Sequence, residues 1–290
     1  MYFFIKAIRR RWPRIFLFFS WPLMRANILK RFVFGPELLI AALIKKGDVI
    51  IDVGANTGQL TLPMAYLTGQ SGQVYAFEPC LNSCQKLSQR VIEARLLSVI
   101  KINQLALTDR KSQATLTIPR KRLTQASLRP HHSQDWENYS EGSSRYFTQS
   151  CQTITLDDFI FEKKLPHIDF LKCDVEGAEL LVLKGAKQLL QSKTAPIILI
   201  EAYADWTKSF GYDPKDIFTY LQATAGYEFY WLHAHGLEKI NPDNKPLPGI
   251  YWRWLDYLCV IPGLHNLSAI QRFIKSNDSN SGDQFRGHNT

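Results

Sequence analysis

Acidic residues beside glycines are the groups in this chain whose spacing could do chemistry: Asp52 in DVGANTG (52–58), Glu78 in AFEP (76–79), and Asp174 with Glu176 in DVEGAEL (174–180). The first stretch joins an apolar run to a helix-like pattern, where glycines commonly let a nucleotide approach a helix N-terminus. Residue types decide which nucleotide. A P-loop needs Lys and then Ser or Thr after its last glycine, but Gln59 and Leu60 follow Gly58. A dinucleotide fingerprint needs GxGxxG, but only Gly54 and Gly58 are present, with Asn56 between them. Asp52 would repel a pyrophosphate and suits a cationic amino group. S-adenosyl-L-methionine carries such a group and no phosphate. Gly54 and Gly58 leave room for its backbone against the turn, and Asn56 adopts a left-handed conformation more readily than most residues. Glu78 ends the second strand, 26 residues after Asp52, where a carboxylate can accept from both ribose hydroxyls. An acid there also serves NAD, so the discrimination rests on Asp52 and the missing glycine.

Asp174 ends an apolar strand at the edge where open α/β sheets bind ligands. Asp174 and Glu176 are two apart and face the same way on extended backbone, whereas acids opening a helix, such as Glu176 and Glu179, also simply favour the macrodipole. Glu201 ends the following strand, PIILIEAY. Asp174, Glu176 and Glu201 are therefore the candidate catalytic acids, with one carboxylate as general base toward an acceptor hydroxyl. A divalent metal held by two of them is the minority reading, since only two plausible ligands are visible. His233 and His235 carry little weight as alternative bases.

These residues need a frame that brings strand ends together. From Lys46 onward, apolar runs alternate with helix-length patterns, the mark of βαβ units around a parallel sheet. The pattern predicts strands over 49–53, 73–77, 97–102, 168–173, 196–200, 228–232 and 258–261, and helices over 59–68, 81–94, 178–191 and 214–223. Residues 120–150 form a polar insert with scattered aromatics, of a length typical of lids and binding loops. Residues 1–45 read as an N-terminal segment, 46–262 as the catalytic domain and 263–290 as a largely disordered tail.

The chain has 290 residues, of which 46% are hydrophobic and 21% charged, an ordinary globular composition. Its net charge of +9 is a property of the N-terminus: residues 1–34 hold eight Lys or Arg and no acid, leaving 27 basic against 26 acidic side chains elsewhere. A near-neutral body lacks the basic face that nucleic-acid binding requires. Within 1–34, apolar and aromatic residues recur at helical spacing between cations, which suits an anionic membrane surface; a helix packed on the domain fits equally, and an Arg-rich mitochondrial address also fits. The longest uncharged stretch, 15–24, is about half a bilayer span. The expected location is cytoplasmic or peripheral at a membrane surface. Five cysteines without CxxC spacing read as thiols, Cys173 among them in the core.

VIIDVGANTGQLTL, VYAFEP, ALTDRKSQATL, TLDDFI and IDFLKCDVEGAELLVLKGA, in this order and spacing, resemble the FkbM-type S-adenosylmethionine-dependent methyltransferases over roughly residues 47–232. The resemblance implies a Rossmann-like class I α/β fold, a seven-stranded mostly parallel sheet with its last strand antiparallel and helices on both faces. It implies O-methylation of a hydroxyl on a sugar, glycolipid, polysaccharide or secondary metabolite, with a carbohydrate or lipid-linked acceptor. By resemblance, Asp52, Gly54, Ala55, Asn56, Thr57 and Gly58 contact the methionine half of the cofactor, Glu78 the ribose, and Ala106 the adenine. The competing reading from another class is a non-catalytic, membrane-associated binding protein on the same fold.

Overall fold

Apolar runs flanked by glycines and acids become buried parallel strands because each strand is covered by helices on both sides. The computed structural model describes residues 35–120, 123–130, 145–233, 235–243 and 255–274. The expectations for residues 1–34, for 131–144 of the insert and for the tail beyond 274 lie outside these.

In chain order the described elements begin with α1 (Pro36–Leu43), β1 (Val49–Val53), α2 (Thr61–Thr68), β2 (Gln73–Phe77), α3 (Leu81–Glu93) and β3 (Ile100–Asn103). Then come β4 (Ala106–Leu107), β5 (Ser112–Pro119), β6 (Tyr146–Ile154), α4 (Leu156–Lys163) and β7 (Phe170–Cys173). The chain continues with α5 (Glu179–Lys184), α6 (Lys187–Leu190), β8 (Ile197–Glu201), α7 (Ala204–Thr207), α8 (Pro214–Ala225), β9 (Glu228–His233), β10 (Gly236–Ile240) and β11 (Asp256–Val260). The main sheet runs β10-β9-β11-β8-β7-β1-β2-β3. Strands β3, β2, β1, β7 and β8 are mutually parallel, and β11 inserts antiparallel between β8 and β9. This is the expected α/β class with its antiparallel last strand. Among the described residues the seven expected strands are joined by an eighth, because β10 folds back on β9 as a hairpin edge strand.

Alternation along each strand feeds two cores, one per face. Ile51, Val53, Leu171 and Ile198 join α4, α5 and α8 on one side. Ile50, Val74, Phe170 and Leu199 join α1, α2 and α3 on the other. Helix α1, expected in the N-terminal segment, packs on the domain, with Leu39 and Ile40 fully buried. Residues 263–274, expected in a disordered tail, are also packed: Ile270 is buried and Ile274 bridges Leu237.

The helix expected over 178–191 is two short helices. Gly185 lies so close to Thr108 that a Cβ would sit 2.1 Å from the Thr108 carbonyl oxygen, and the chain breaks there to let β4 pass. The other departure is a second sheet, β4-β6-β5, whose β5–β6 hairpin carries the insert. Within the insert, Ser127 bridges back to Thr117, so residues 123–130 lie beside this sheet.

Candidate active site

The carboxyl ends of β1, β2, β7 and β8 surround one cavity of about 390 Å³, within the size range of small-molecule sites. Asp52, Gly54, Ala55, Asn56, Glu78, Ala106, Asp174, Glu176 and Glu201 all line it. Thr57 and Gly58 stand behind the turn. The Thr57 carbonyl accepts from Arg90, and a Cβ on Gly58 would lie 2.6 Å from both Leu62 and Leu87. Gly58 thus makes room for the core, not for a ligand.

The first glycine has a different task from the one its position suggests. Gly54 has φ +74, and a Cβ there would fall 1.7 Å from the Asp174 carbonyl oxygen. The backbones that leave the parallel neighbours β1 and β7 therefore touch, and only glycine fits both the conformation and the space. Asn56 takes the expected left-handed conformation, with φ 50. Its N–H donates to Glu78 Oε2 at 2.7 Å, and Cys80 N–H donates to Glu78 Oε1 at 2.9 Å. Glu78 is thereby fixed at the end of β2 with its remaining lone pairs free to accept. Burial pushes its carboxyl up to about 7, against the opposing pull of those two N–H groups.

Asp52 is buried, and its Oδ2 accepts from Thr61 Oγ1 at 2.5 Å. Its Oδ1 has no hydrogen-bond partner; the nearest cation, Lys172 Nζ, is 3.5 Å away, too long for a good hydrogen bond. Asn56 Oδ1 is a second buried acceptor without a donor. These two oxygens of the cavity lining fit the ammonium group of S-adenosylmethionine, whose three N–H donors need such partners.

Lys172 escapes the sequence reading, although its signal is present. A lysine inside the apolar run FLKC, in a strand covered on both faces, has no water to reach. It pairs with Asp52 in register across β1 and β7. Nζ donates to the carbonyls of Val53 (3.2 Å) and Gly54 (2.8 Å) and lies 3.2 Å from Asp174 Oδ2. Burial alone would lower its pKa, yet the charges of Asp174 and Asp52 outweigh that and hold it above the usual lysine range.

The rest of the polar lining is acidic: Glu37, Asp174, Glu176, Glu201 and Asp256. Asp256 also escapes the sequence reading, because it opens an antiparallel strand, so its N-terminal end, opposite Glu201, reaches the same edge. Burial, then the charges of Asp174, Glu176 and Asp256, push Glu201 well above the usual carboxylate range, and a hydrogen bond with Asp174 reinforces this. Burial and Asp174 do the same to Glu176. Glu176 sits at φ 57, in a loop held from behind. Glu179 opens α5 as expected, and its buried carboxylate also accepts from the N–H groups of Val175 (3.0 Å) and Gly177 (3.1 Å). Ser127 donates to the Glu176 carbonyl at 2.8 Å, which holds residues 123–130 of the insert against this loop. His233 is buried beside Trp231 and does not line the cavity. Among the described residues no group of three or more His, Cys, Asp or Glu is arranged to hold a metal.

Crowding these acids has a cost that depends on pH. Glu78, Glu179 and Asp256 are each raised to about 7, burial being the largest cause for all three. Between the ordinary carboxylate range near 4 and pH 7, the folded protein binds more protons than the unfolded chain, so its stability falls as pH rises through that window. The melting temperature of the ligand-free protein should therefore be higher at pH 5 than at pH 7.5, with a smaller drop in Glu78→Gln. A melting temperature that rises over the same interval contradicts these protonation states.

The Methyltransferase FkbM domain matches residues 52–229 of this sequence. The chain belongs to the FkbM methyltransferase family. The match begins at Asp52 and runs into β9, so it contains the donor turn, Glu78, Lys172, Asp174 and Glu201 and excludes Asp256. Among curated relatives, the chain is similar to the hexuronic acid methyltransferase AglP of Haloferax volcanii, at 27% identity over 188 residues. That alignment covers 63% of this chain and 66% of the relative, slightly under two thirds of its length. Among solved structures, the FkbM methyltransferase of Methylobacillus flagellatus superimposes with a TM-score of 0.48 at 17% identity, over 88% of this chain and 57% of that one. A putative methyltransferase of Streptococcus mutans in complex with S-adenosylhomocysteine gives 0.41 at 10% identity, over 77% and 92%. Family membership makes S-adenosylmethionine the donor to be matched to the cavity. The orphaned Asp52 and Asn56 oxygens, the free lone pairs of Glu78 and the apolar wall of Leu105, Ala106 and Leu107 fit its ammonium, ribose and adenine.

Proposed function

We propose that the chain is an S-adenosylmethionine-dependent O-methyltransferase that acts on a sugar hydroxyl, free or lipid-linked. One observation carries this reading. One cavity is lined both by donor-type partners, Asp52, Asn56 and Glu78, and by a set of carboxyl groups from three neighbouring strand ends. S-adenosylmethionine, when bound, supplies an electrophilic methyl group on a sulfonium. Everything else falls to the chain. Asp52 and Asn56 accept from the donor's ammonium, and Glu78 orients its ribose. Asp174, half-open to the cavity at 38% side-chain exposure, accepts the proton of the acceptor hydroxyl as the O–CH₃ bond forms. Glu201, whose protonated form is favoured by burial and then by its acidic neighbours, hydrogen-bonds Asp174 and so holds it toward the acceptor. The chief contribution is positioning two reactants in line, and base assistance is the smaller part.

The acidic part of the lining differs in charge from what a uronic acid needs. It holds five carboxyl groups, and Lys172, the cation beside them, is already engaged by Asp52, Asp174 and two carbonyls. Among the described residues Lys172 is the only cation that lines the cavity, so a carboxylate-bearing sugar would meet Asp174, and the acids held toward their neutral form around it, without a free counter-ion. The test is transfer of labelled methyl from S-adenosylmethionine to a matched panel of a neutral hexoside, an amino sugar and a hexuronate. The neutral sugar or amino sugar should accept label at least about tenfold faster than the hexuronate at neutral pH, the ratio that about 1.4 kcal/mol produces. Label entering only the hexuronate overturns the charge argument, and label entering none of them overturns the sugar assignment.

A further inference from the structure

Lys172 is a buried ammonium between Asp52 and Asp174, and nothing in the reaction above gives it a task. Its carbon stem lies in β7 and its Nζ reaches four oxygens belonging to two adjacent parallel strand ends. On the donor side these are the Val53 and Gly54 carbonyls and Asp52 Oδ1. On the acceptor side it is Asp174 Oδ2. The two backbones lie so close that a Cβ on Gly54 would overlap the Asp174 carbonyl, so the two ends cannot shift independently.

We infer that Lys172 is a positioning residue for methyl transfer, whose ammonium fixes Asp52 toward the methyl donor and Asp174 toward the acceptor at once. The inference rests on the function proposed above. A buried ion pair held in place by backbone carbonyls is an expensive way to achieve stability alone, because well-packed apolar residues do as well or better. Its value here is geometric and electrostatic: one cation serves two carboxylates that must keep separate partners. Asp52 keeps an oxygen clear for the donor's ammonium, because Thr61 occupies the other and Lys172 stands 3.5 Å off. The ionisable groups that face the ammonium are Asp52 from β1, Glu78 after β2, Cys173 and Asp174 at the end of β7, Glu176 in the loop beyond, and Asp256 from β11. Of these, Asp52 and Asp174 are in ion-pair contact with it.

Removing the charge while keeping the stem separates this role from mere packing. In Lys172→Met, Asp52 loses its counter-ion in a buried site, and protonation competes with donor binding. S-adenosylhomocysteine carries the same ammonium as the donor and serves as the probe, titrated calorimetrically between pH 5.5 and 7.5, below the range in which an α-amino group loses its proton. Glu78 also titrates in this window and feels the Lys172 charge, so variant and wild-type lysine are compared in the Glu78→Gln background, and the ratio of their affinities is the quantity read. Lys172→Met should bind at least about tenfold more weakly at pH 5.5, with the deficit shrinking toward pH 7.5, while Lys172→Arg, which keeps the charge, should restore a pH-independent ratio. A ratio in Lys172→Met that is constant across the interval, or equal to one, overturns the inference. If Lys172→Met does not fold, the Lys172→Met/Asp174→Asn pair, which removes one charge of each sign, is measured instead; the same slope supports the inference and a flat ratio overturns it. Absence of binding by the wild-type protein is a different outcome, which overturns the proposed function and this inference with it.

Discussion

Asp174→Asn should lower turnover by about 10²–10⁴-fold, the range for removing a positioned general base, while S-adenosylhomocysteine affinity stays within a few fold of wild type. The amide keeps the size of the side chain but cannot take up the acceptor's proton. Lys172 retains Asp52 and two carbonyl partners in the variant, so the donor turn is still held. Turnover and binding are therefore predicted to separate. If binding is lost and turnover of the bound complex is unchanged, Asp174 is a donor ligand and the division of the cavity is wrong. Glu201→Gln should be milder, because the protonated acid that it replaces already acts as a hydrogen-bond donor.

The second large effect is on folding. Gly54→Ala places a methyl 1.7 Å from the Asp174 carbonyl oxygen at a φ of +74. The left-handed conformation alone costs roughly 1–2 kcal/mol for a residue with a Cβ. Backbone overlap cannot be relieved by a rotamer change, so the ends of β1 and β7 must separate, which places the total among the exceptional losses above about 4 kcal/mol. A protein of this size loses about 2–4 °C of melting temperature per kcal/mol, so a fall of about 10 °C or more and no S-adenosylhomocysteine binding are expected. Gly226→Ala is the control, with φ +69 and open space around its Cβ, and should cost only the conformational part. Equal effects at the two positions would show that the contact between the ends of β1 and β7 is not the constraint.

Much of this site is legible in the amino-acid sequence. Asp52, Glu78, Asp174 and Glu201 each end an apolar run, and in a parallel sheet all such ends lie on one edge. The left-handed Asn56 follows from its residue type. What escapes has a physical reason in each case. Lys172 sits inside an apolar run, and its partners come from a strand more than a hundred residues away. Asp256 opens an antiparallel strand, so a search of carboxyl ends passes it by. Glu37 arrives on α1, in a segment whose sequence reads as an appendage. Gly54 points to a ligand in the sequence because a glycine motif shows that space is needed without showing what approaches it. The small sheet is hidden for a related reason: β5 and β6 are joined through the polar insert, and a hairpin with so long a connection has no turn signature.

The central claim is that the turn after β1 holds S-adenosylmethionine in the cavity it shares with Asp174. Calorimetric titration of the wild-type protein with S-adenosylhomocysteine, and separately with NAD, tests it most directly. Micromolar binding of S-adenosylhomocysteine, lost in Asp52→Ala, with no heat from NAD, is the predicted result. No binding of S-adenosylhomocysteine, or tight binding of NAD, would contradict it.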